Sequence, residues 1–200
     1  MDSVLSGDAF DGDRPGSRLA RSLTANPALA DLATDLLRTD AALADLDADE
    51  ASCVVAYMGL VLYPPGATVF REGDASRTSY LLLILNGEVS VETAAAAGSS
   101  QVTISVLGPG NIIGEMGLID GSPRSATCTA TSALQTAGLT RKSLQRLIDE
   151  NPKVGAKLMI GLCKRLADRL RGLNDQLQLY AQLNASLQQQ VERLSGRSRF

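Results

Sequence analysis

The chain has no histidine and no tryptophan among its 200 residues, only three cysteines, and just 4% aromatic residues. Without histidine it lacks both the usual general base at neutral pH and the commonest metal ligand. Cys53, Cys128 and Cys163 are scattered, with no C-x-x-C spacing. Small apolar side chains in a reducing compartment account for them most simply. Neither a nucleophile elbow nor a phosphate-cleaving motif is present, so catalysis is not expected. No apolar run reaches membrane-spanning length, and Met1-Asp2-Ser3-Val4 does not begin a basic-then-apolar leader. The expectation is a soluble, cytoplasmic, metal-free protein that is not an enzyme. With 44% apolar residues, it can build one ordinary domain plus an additional element.

The net charge of −3 hides an asymmetry. Residues 1–60 hold four basic against eleven acidic residues, whereas residues 139–200 hold twelve against five. A basic final third can signal nucleic acid. Here the charges are strung along a helical pattern, and a solvated helix face is the simpler account.

Residues 1–25 are rich in Asp, Gly, Ser and Arg without periodicity and are expected to be mobile. Pro27 to Arg38 places Leu29, Leu32, Leu36 and Leu37 at helical spacing, and a second helix is expected from Asp49 to Gly59, capped near Asp47 or Asp49. These form an N-terminal helical region, residues 26–59. Short apolar runs then alternate with turn residues. Strands are expected at Leu60–Tyr63, Thr68–Arg71, Ser79–Leu85, Glu88–Thr93, Gln101–Leu107, Thr127–Thr131 and Leu134–Leu139, the spacing of a sandwich or roll. Asn86-Gly87 is a type I′ hairpin signal, and Ala94–Ser100 reads as the tip of another hairpin. Thr140 caps a short helix through Asp149, which Asn151-Pro152 interrupts.

The most informative stretch is Gly114-Glu115-Met116-Gly117-Leu118-Ile119-Asp120-Gly121-Ser122-Pro123-Arg124-Ser125-Ala126-Thr127. A helix between Glu115 and Gly121 is too short to be there for packing alone, and its first N–H groups can receive an anion. Arg124 adds a planar fork of donors suited to a phosphate, while Glu115 can accept from a sugar hydroxyl. One cation, one carboxylate and main-chain donors suit a small phosphorylated sugar ring such as a cyclic nucleotide. As a strand residue, Thr127 needs no ligand role.

This stretch resembles the phosphate-binding cassette of cyclic-nucleotide-binding domains, as in the bacterial cyclic-AMP receptor proteins and protein kinase A regulatory subunits. Gly-Ser-Pro before the arginine is more like the kinase type, and Ser125 after it more like the bacterial type. Leu62-Tyr63-Pro64-Pro65-Gly66, Phe70-Arg71-Glu72-Gly73-Asp74 and Leu85-Asn86-Gly87-Glu88-Val89 extend the resemblance, which runs from about Leu43 to Leu173. It implies an α+β fold, a jelly-roll-like β-roll over residues 60–152 with flanking helices and the cassette at residues 114–127. It also implies that Arg124 holds the cyclic phosphate, that the backbone of Met116, Ser125 and Ala126 donates to it, and that Glu115 with Gly114 takes the ribose 2′-hydroxyl. Arg165 stands where some bacterial relatives place an arginine paired with the cassette glutamate; a link from ligand to helix and a plain solvated charge are equally good readings. Bacterial cyclic-AMP receptors present a hydroxyl pair to the adenine. Arg169 and Leu170 occupy those places, so the pair is missing. Ser125 favours cyclic AMP over cyclic GMP, while Arg169 and Arg171 suit a guanine edge or the second phosphate of cyclic di-GMP. The order of expectation is cyclic AMP, cyclic GMP, cyclic di-GMP. Three scattered cysteines do not supply the four ligands of the cluster-bearing relatives.

From Met159 onward apolar positions step by four and three: Met159, Cys163, Leu166, Leu170, Leu173, Leu177, Tyr180, Asn184, Leu187, Val191 and Leu194. A stripe two residues in seven wide is a coiled-coil seam, narrower than the face of a helix packed on a globular core. Asn184 at an a position is best satisfied by its twin in a parallel, in-register dimer. A long dimerisation helix is expected over residues 153–195, followed by a short tail, residues 196–200. The bacterial transcription factors continue into a helix-turn-helix domain; here the heptads run on instead, so sequence-specific DNA binding is not expected. The expected function is a homodimeric cyclic-nucleotide sensor that signals to a partner protein through its coil. A constitutive coiled-coil scaffold with a vestigial pocket is the alternative.

Overall fold

The computed structural model describes residues 18–43, 45–94 and 101–197. Most of the expected mobile segment and the hairpin tip at residues 95–100 therefore lie outside the described residues, as do the last three residues of the expected tail. Two compact units emerge, residues 1–161 and residues 162–200.

The first unit is an antiparallel β-roll with helices on its flanks. In chain order it comprises β1 (Arg18–Ser22), a 3-10 turn (Leu23–Ala25), α1 (Pro27–Leu37), α2 (Ala48–Val55), β2 (Gly59–Tyr63), β3 (Thr68–Phe70), β4 (Tyr80–Asn86), β5 (Val89–Ala94), β6 (Gln101–Leu107), β7 (Ile112–Ile113), α3 (Glu115–Asp120), β8 (Thr127–Ala130), β9 (Leu134–Thr140) and α4 (Arg141–Glu150). The last helix, α5 (Pro152–Arg197), begins in this unit and continues into the second.

One sheet has the order β1-β2-β9-β4-β7 and the other β3-β8-β5-β6. Their inner faces bury Val61, Tyr63, Val69, Phe70, Tyr80, Leu82, Ile84, Val89, Val91, Ile113, Cys128, Ala130 and Leu134 in one apolar cluster. Strand β4 is buried from Tyr80 to Leu85 because both its faces are covered. Tyr80, Leu82 and Ile84 enter the cluster, and α1 packs against the strand. Such a strand reads as a continuous apolar run instead of an alternation.

The helix starts follow local chemistry. The Asn26 side chain accepts from Leu29 N–H with Pro27 at the first helical position. Asp47 and Glu50 form a reciprocal capping box at α2. The Thr140 hydroxyl accepts from Ser143 N–H at 3.0 Å.

The second helix stops at Val55, short of the expected Gly59, which begins β2, and three further details depart from expectation. First, residues 18–25 are ordered instead of mobile: β1 pairs antiparallel with β2, and Leu23 is buried with its N–H on the Met58 carbonyl. An open β2 edge would leave main-chain donors and acceptors without a ladder, and β1 covers it. Second, Asn86-Gly87 is not a hairpin turn, because β4 and β5 belong to opposite sheets. Only Gly87 has positive φ, whereas a type I′ turn needs two such residues. This turn locks against the one joining β8 to β9: Glu88 N–H donates to the Ser132 hydroxyl and Thr131 N–H to the Glu88 carbonyl. A side chain at Gly87 would collide with the Ala133 carbonyl. Third, α5 runs on through Gly196 and Arg197, the first two residues of the expected tail.

In the second unit Leu162 is buried, whereas the apolar positions of α5 from Leu170 to Val191 are exposed, with Leu170, Leu177 and Val191 each at least 60% accessible.

Candidate functional site

Helix α3 is held between two glycines in the left-handed region, Gly114 at φ 79° and Gly121 at φ 74°. Gly121 N–H closes the last turn on the Gly117 carbonyl. Both positions suit glycine because other residues avoid positive φ. At Gly114 the restriction is also steric: a Cβ would stand 2.6 Å from an Arg124 guanidinium nitrogen and 2.7 Å from the Phe70 ring.

Arg124 reaches this point from the loop before β8. Its main chain is fixed to the turn after β3, with Arg124 N–H on the Asp74 carbonyl and Gly73 N–H on the Arg124 carbonyl. Its side chain turns inward and is only 4% exposed. Nε donates to the Arg77 carbonyl (2.9 Å), one terminal nitrogen to Gly114 (2.7 Å) and the other to Tyr80 (2.9 Å). The guanidinium carbon lies 3.9 Å from the Phe70 ring centroid and 4.9 Å from that of Tyr80. Burial pushes the arginine's pKa down, opposed by the Tyr80, Cys128, Asp74 and Glu115 groups around it. Arginine's high intrinsic pKa keeps it a cation even so.

Gly114, Glu115 and Met116 form the start of α3, and the hydrogen bond from Arg124 to Gly114 joins them to the Arg124–Ala126 segment. Glu115 is buried at 2% exposure. Met116 and Ser125 are exposed, with the Ser125 hydroxyl 3.8 Å from the Met116 sulfur, and Ala126 is half-buried. Thr127 begins β8 and accepts from Glu72 N–H. Arg165 and Arg169 belong to the second unit, one half-buried and the other exposed.

Phe70, Tyr80 and Arg141 were not anticipated as site residues. Arg141, at the start of α4, donates to the Gly117 carbonyl at 3.0 Å and so ties α3 to the following helix. The signal for the rings was their scarcity: Tyr63, Phe70 and Tyr80 are the only aromatic residues between 59 and 140, and all join the cluster beneath Arg124. Arg141 gave no signal, since a basic residue at the start of a helix runs against the helix dipole.

Residues 60–151 match the cyclic nucleotide-binding domain family. A solved cyclic nucleotide-binding domain from Methylobacillus flagellatus is 33% identical, superposes with a TM-score of 0.70, and is matched over 84% of this chain and 90% of its own. The chain belongs to the cyclic nucleotide-binding domain family. Two further relatives lie in different branches. The cyclic AMP receptor protein of Thermus thermophilus is 32% identical over 60% of this chain and 54% of its own length. A cAMP-dependent protein kinase regulatory subunit from Colletotrichum orbiculare is 32% identical over 57% of this chain and 28% of its own. The chain thus spans about half or less of the curated relatives it matches. The α+β roll with its cassette is the fold that the sequence resemblance implied.

Among the described residues, no helix is long and apolar enough to cross a membrane, and no cluster of metal-ligating side chains occurs.

Proposed function

We propose that this protein is a cytoplasmic cyclic-nucleotide sensor and not an enzyme, with cyclic AMP as its first candidate ligand and cyclic GMP and cyclic di-GMP as alternatives. Arg124 is the phosphate ligand, Glu115 with Gly114 takes the ribose hydroxyl, and the backbone of Met116, Ser125 and Ala126 donates to the phosphate. The observation that carries this is the burial of the Arg124 cation at the foot of α3, held by three carbonyls and two ring faces with the Asp74 and Glu115 groups around it. An anionic phosphate would make stronger, charge-assisted hydrogen bonds to this fork than neutral carbonyls do. A cyclic phosphate would exchange with the Gly114 carbonyl on the guanidinium, moving the start of α3, and the Arg141 contact would carry that movement into α4. Only differential affinity for the two arrangements would shift the population.

The output is a parallel homodimer along α5 whose coil is read by a partner protein, without sequence-specific DNA recognition by this chain. The exposed heptad stripe through Leu170, Leu173, Leu177, Tyr180, Leu187 and Val191 supports it, since a continuous apolar stripe of this size marks an interface. Met159, Cys163, Leu166, Asn184 and Leu194 complete the proposed seam, and the Leu194 side chain lies outside the described residues. Arg165 would link ligand occupancy to helix position, and Arg169 would meet a guanine edge or the second phosphate of a cyclic dinucleotide.

The decisive experiment is parallel calorimetric titration with cyclic AMP, cyclic GMP and cyclic di-GMP, with Arg124→Ala as comparison. Binding to one ligand that Arg124→Ala abolishes, with the oligomeric state retained, is the expected result; unaltered binding by the variant would remove Arg124 from the site. The low exposure of Arg124 and its occupied donors favour one other reading, a constitutive scaffold in which the arginine is structural. A melting temperature unmoved by saturating amounts of all three nucleotides would select that scaffold.

A further inference from the structure

An arginine can be buried in many ways, and the surroundings of Arg124 divide its placement between two kinds of contact. The three carbonyls of Arg77, Gly114 and Tyr80 lie on Nε and both terminal nitrogens, and so fix the rotation of the fork within its own plane. They do little to fix motion perpendicular to that plane. The rings do this. The guanidinium carbon is 3.9 Å from the Phe70 centroid and 4.9 Å from the Tyr80 centroid, and the rings are 5.5 Å apart, tilted by 42°. Tyr80 in turn packs with Tyr63 in the same core cluster. Phe70 also lies directly under the first residue of the cassette, where it would obstruct any side chain at Gly114. One ring thus governs both the cation and the carbonyl that the cation touches.

We propose that Phe70 and Tyr80 are positioning residues for anion binding: their faces hold the Arg124 guanidinium dry, charged and at a fixed height beneath α3, so that an entering phosphate meets a preset fork. The inference rests on the reading of Arg124 as the phosphate ligand. Aromatic faces suit this task because their negative quadrupole stabilises a cation without supplying a carboxylate that would compete with the ligand. An aliphatic side chain of similar volume would fill the space and leave the cation without that stabilisation, and ordering the fork would then oppose binding.

The test uses the full chain and the variants Phe70→Leu, Tyr80→Leu, Tyr80→Phe and Arg124→Lys. In the ligand-free protein, the Arg124 Nε–H resonance, identified by its loss in Arg124→Lys, should be protected from exchange and shifted upfield by the rings. It should persist in Tyr80→Phe, which keeps the ring, and move downfield with faster exchange in Phe70→Leu and Tyr80→Leu. Titration with cyclic AMP should show roughly tenfold weaker binding in Phe70→Leu, the scale of a desolvated cation–π contact. Binding of the neutral methyl triester of cyclic AMP, which offers no anionic oxygen, should be the same in Phe70→Leu as in the wild type. Equal losses for both ligands, or an Nε–H signal indifferent to the rings, would make Phe70 and Tyr80 space-fillers and overturn the proposal. If the wild type binds neither ligand while its Nε–H signal behaves as expected, the cyclic-nucleotide reading fails. The rings then clamp a structural arginine, and the positioning role fails with it.

Discussion

Arg124 and Gly114 are better understood as one unit than as two residues. The arginine's terminal nitrogen donates to the Gly114 carbonyl at 2.7 Å, and the same nitrogen stands 2.6 Å from where a Cβ on Gly114 would be. Gly114→Ala therefore meets two penalties, positive φ and a collision with the guanidinium and the Phe70 ring. Strain of this kind costs on the order of 1–3 kcal/mol. We expect Gly114→Ala to lower the denaturation midpoint by that amount and to weaken nucleotide binding; chemical denaturation with parallel titration measures both. Gly66 and Gly73 offer a control. They also have positive φ but nothing within 4 Å of an added Cβ, so alanine there should cost only the backbone part. A sequence reader recognises Gly114, Glu115 and Arg124 from their spacing. The inward turn of the arginine depends on Phe70 and Tyr80, 54 and 44 positions earlier in the chain, which no local pattern connects to it.

Among the elements, the elbow between α4 and α5 is fastened by polar contacts to α2 and to the turn that follows it. The Tyr57 hydroxyl donates to a Glu150 carboxylate oxygen at 2.6 Å and accepts from the Asn151 side-chain amide at 3.0 Å. Farther along, Lys157 pairs with Glu50, the capping-box residue of α2. The Tyr57 hydrogen bond and then Arg146 hold the Glu150 carboxyl below its ordinary pKa. A carboxylate with a depressed folded pKa adds stability above its unfolded pKa and loses it as pH falls through the folded value. Tyr57→Phe should therefore be less stable than wild type at neutral pH, and the difference should shrink as pH drops below the ordinary carboxylate range. Denaturation midpoints measured from pH 7 down to about 3 would show this, given an unperturbed glutamate near 4.3; a constant gap would mean that Tyr57 acts through packing alone. Helix starts were legible in the sequence because Asn26-Pro27, Asp47 with Glu50, and Thr140 act within one turn. The α2-to-elbow contacts were not, because they join residues more than 90 positions apart.

At the scale of the whole molecule, the heptad stripe of α5 is exposed from Leu170 to Val191, and the proposed dimer would cover it. Asn184 and Cys163, both exposed and both at a positions, make the proposed parallel register testable. In that register each Cys163 faces its twin, so mild oxidation should yield a covalent dimer that Cys163→Ser abolishes and reduction reverses. An antiparallel pairing would separate the two cysteines and give no such product. Asn184→Leu should raise the thermal stability of the assembly and loosen its preference for two strands, which light scattering after chromatography would register. A dimer unchanged in mass and stability would place Asn184 outside the seam.

What the sequence determined by itself was whatever depends on near neighbours along the chain: helix caps, the heptad stripe, the glycine-flanked cassette helix and the family. These are short-range patterns in which the side chains themselves carry the instruction. Tertiary structure alone decided three things. Residues 18–22 became a strand because the β2 edge was open. Asn86-Gly87 became a crossing between sheets because the β8–β9 turn locks against it. Arg124 turned inward because two rings and three carbonyls from distant strands and loops converge there. In each case the outcome is set by satisfying buried polar groups, and the partners that satisfy them are brought together only when the roll closes.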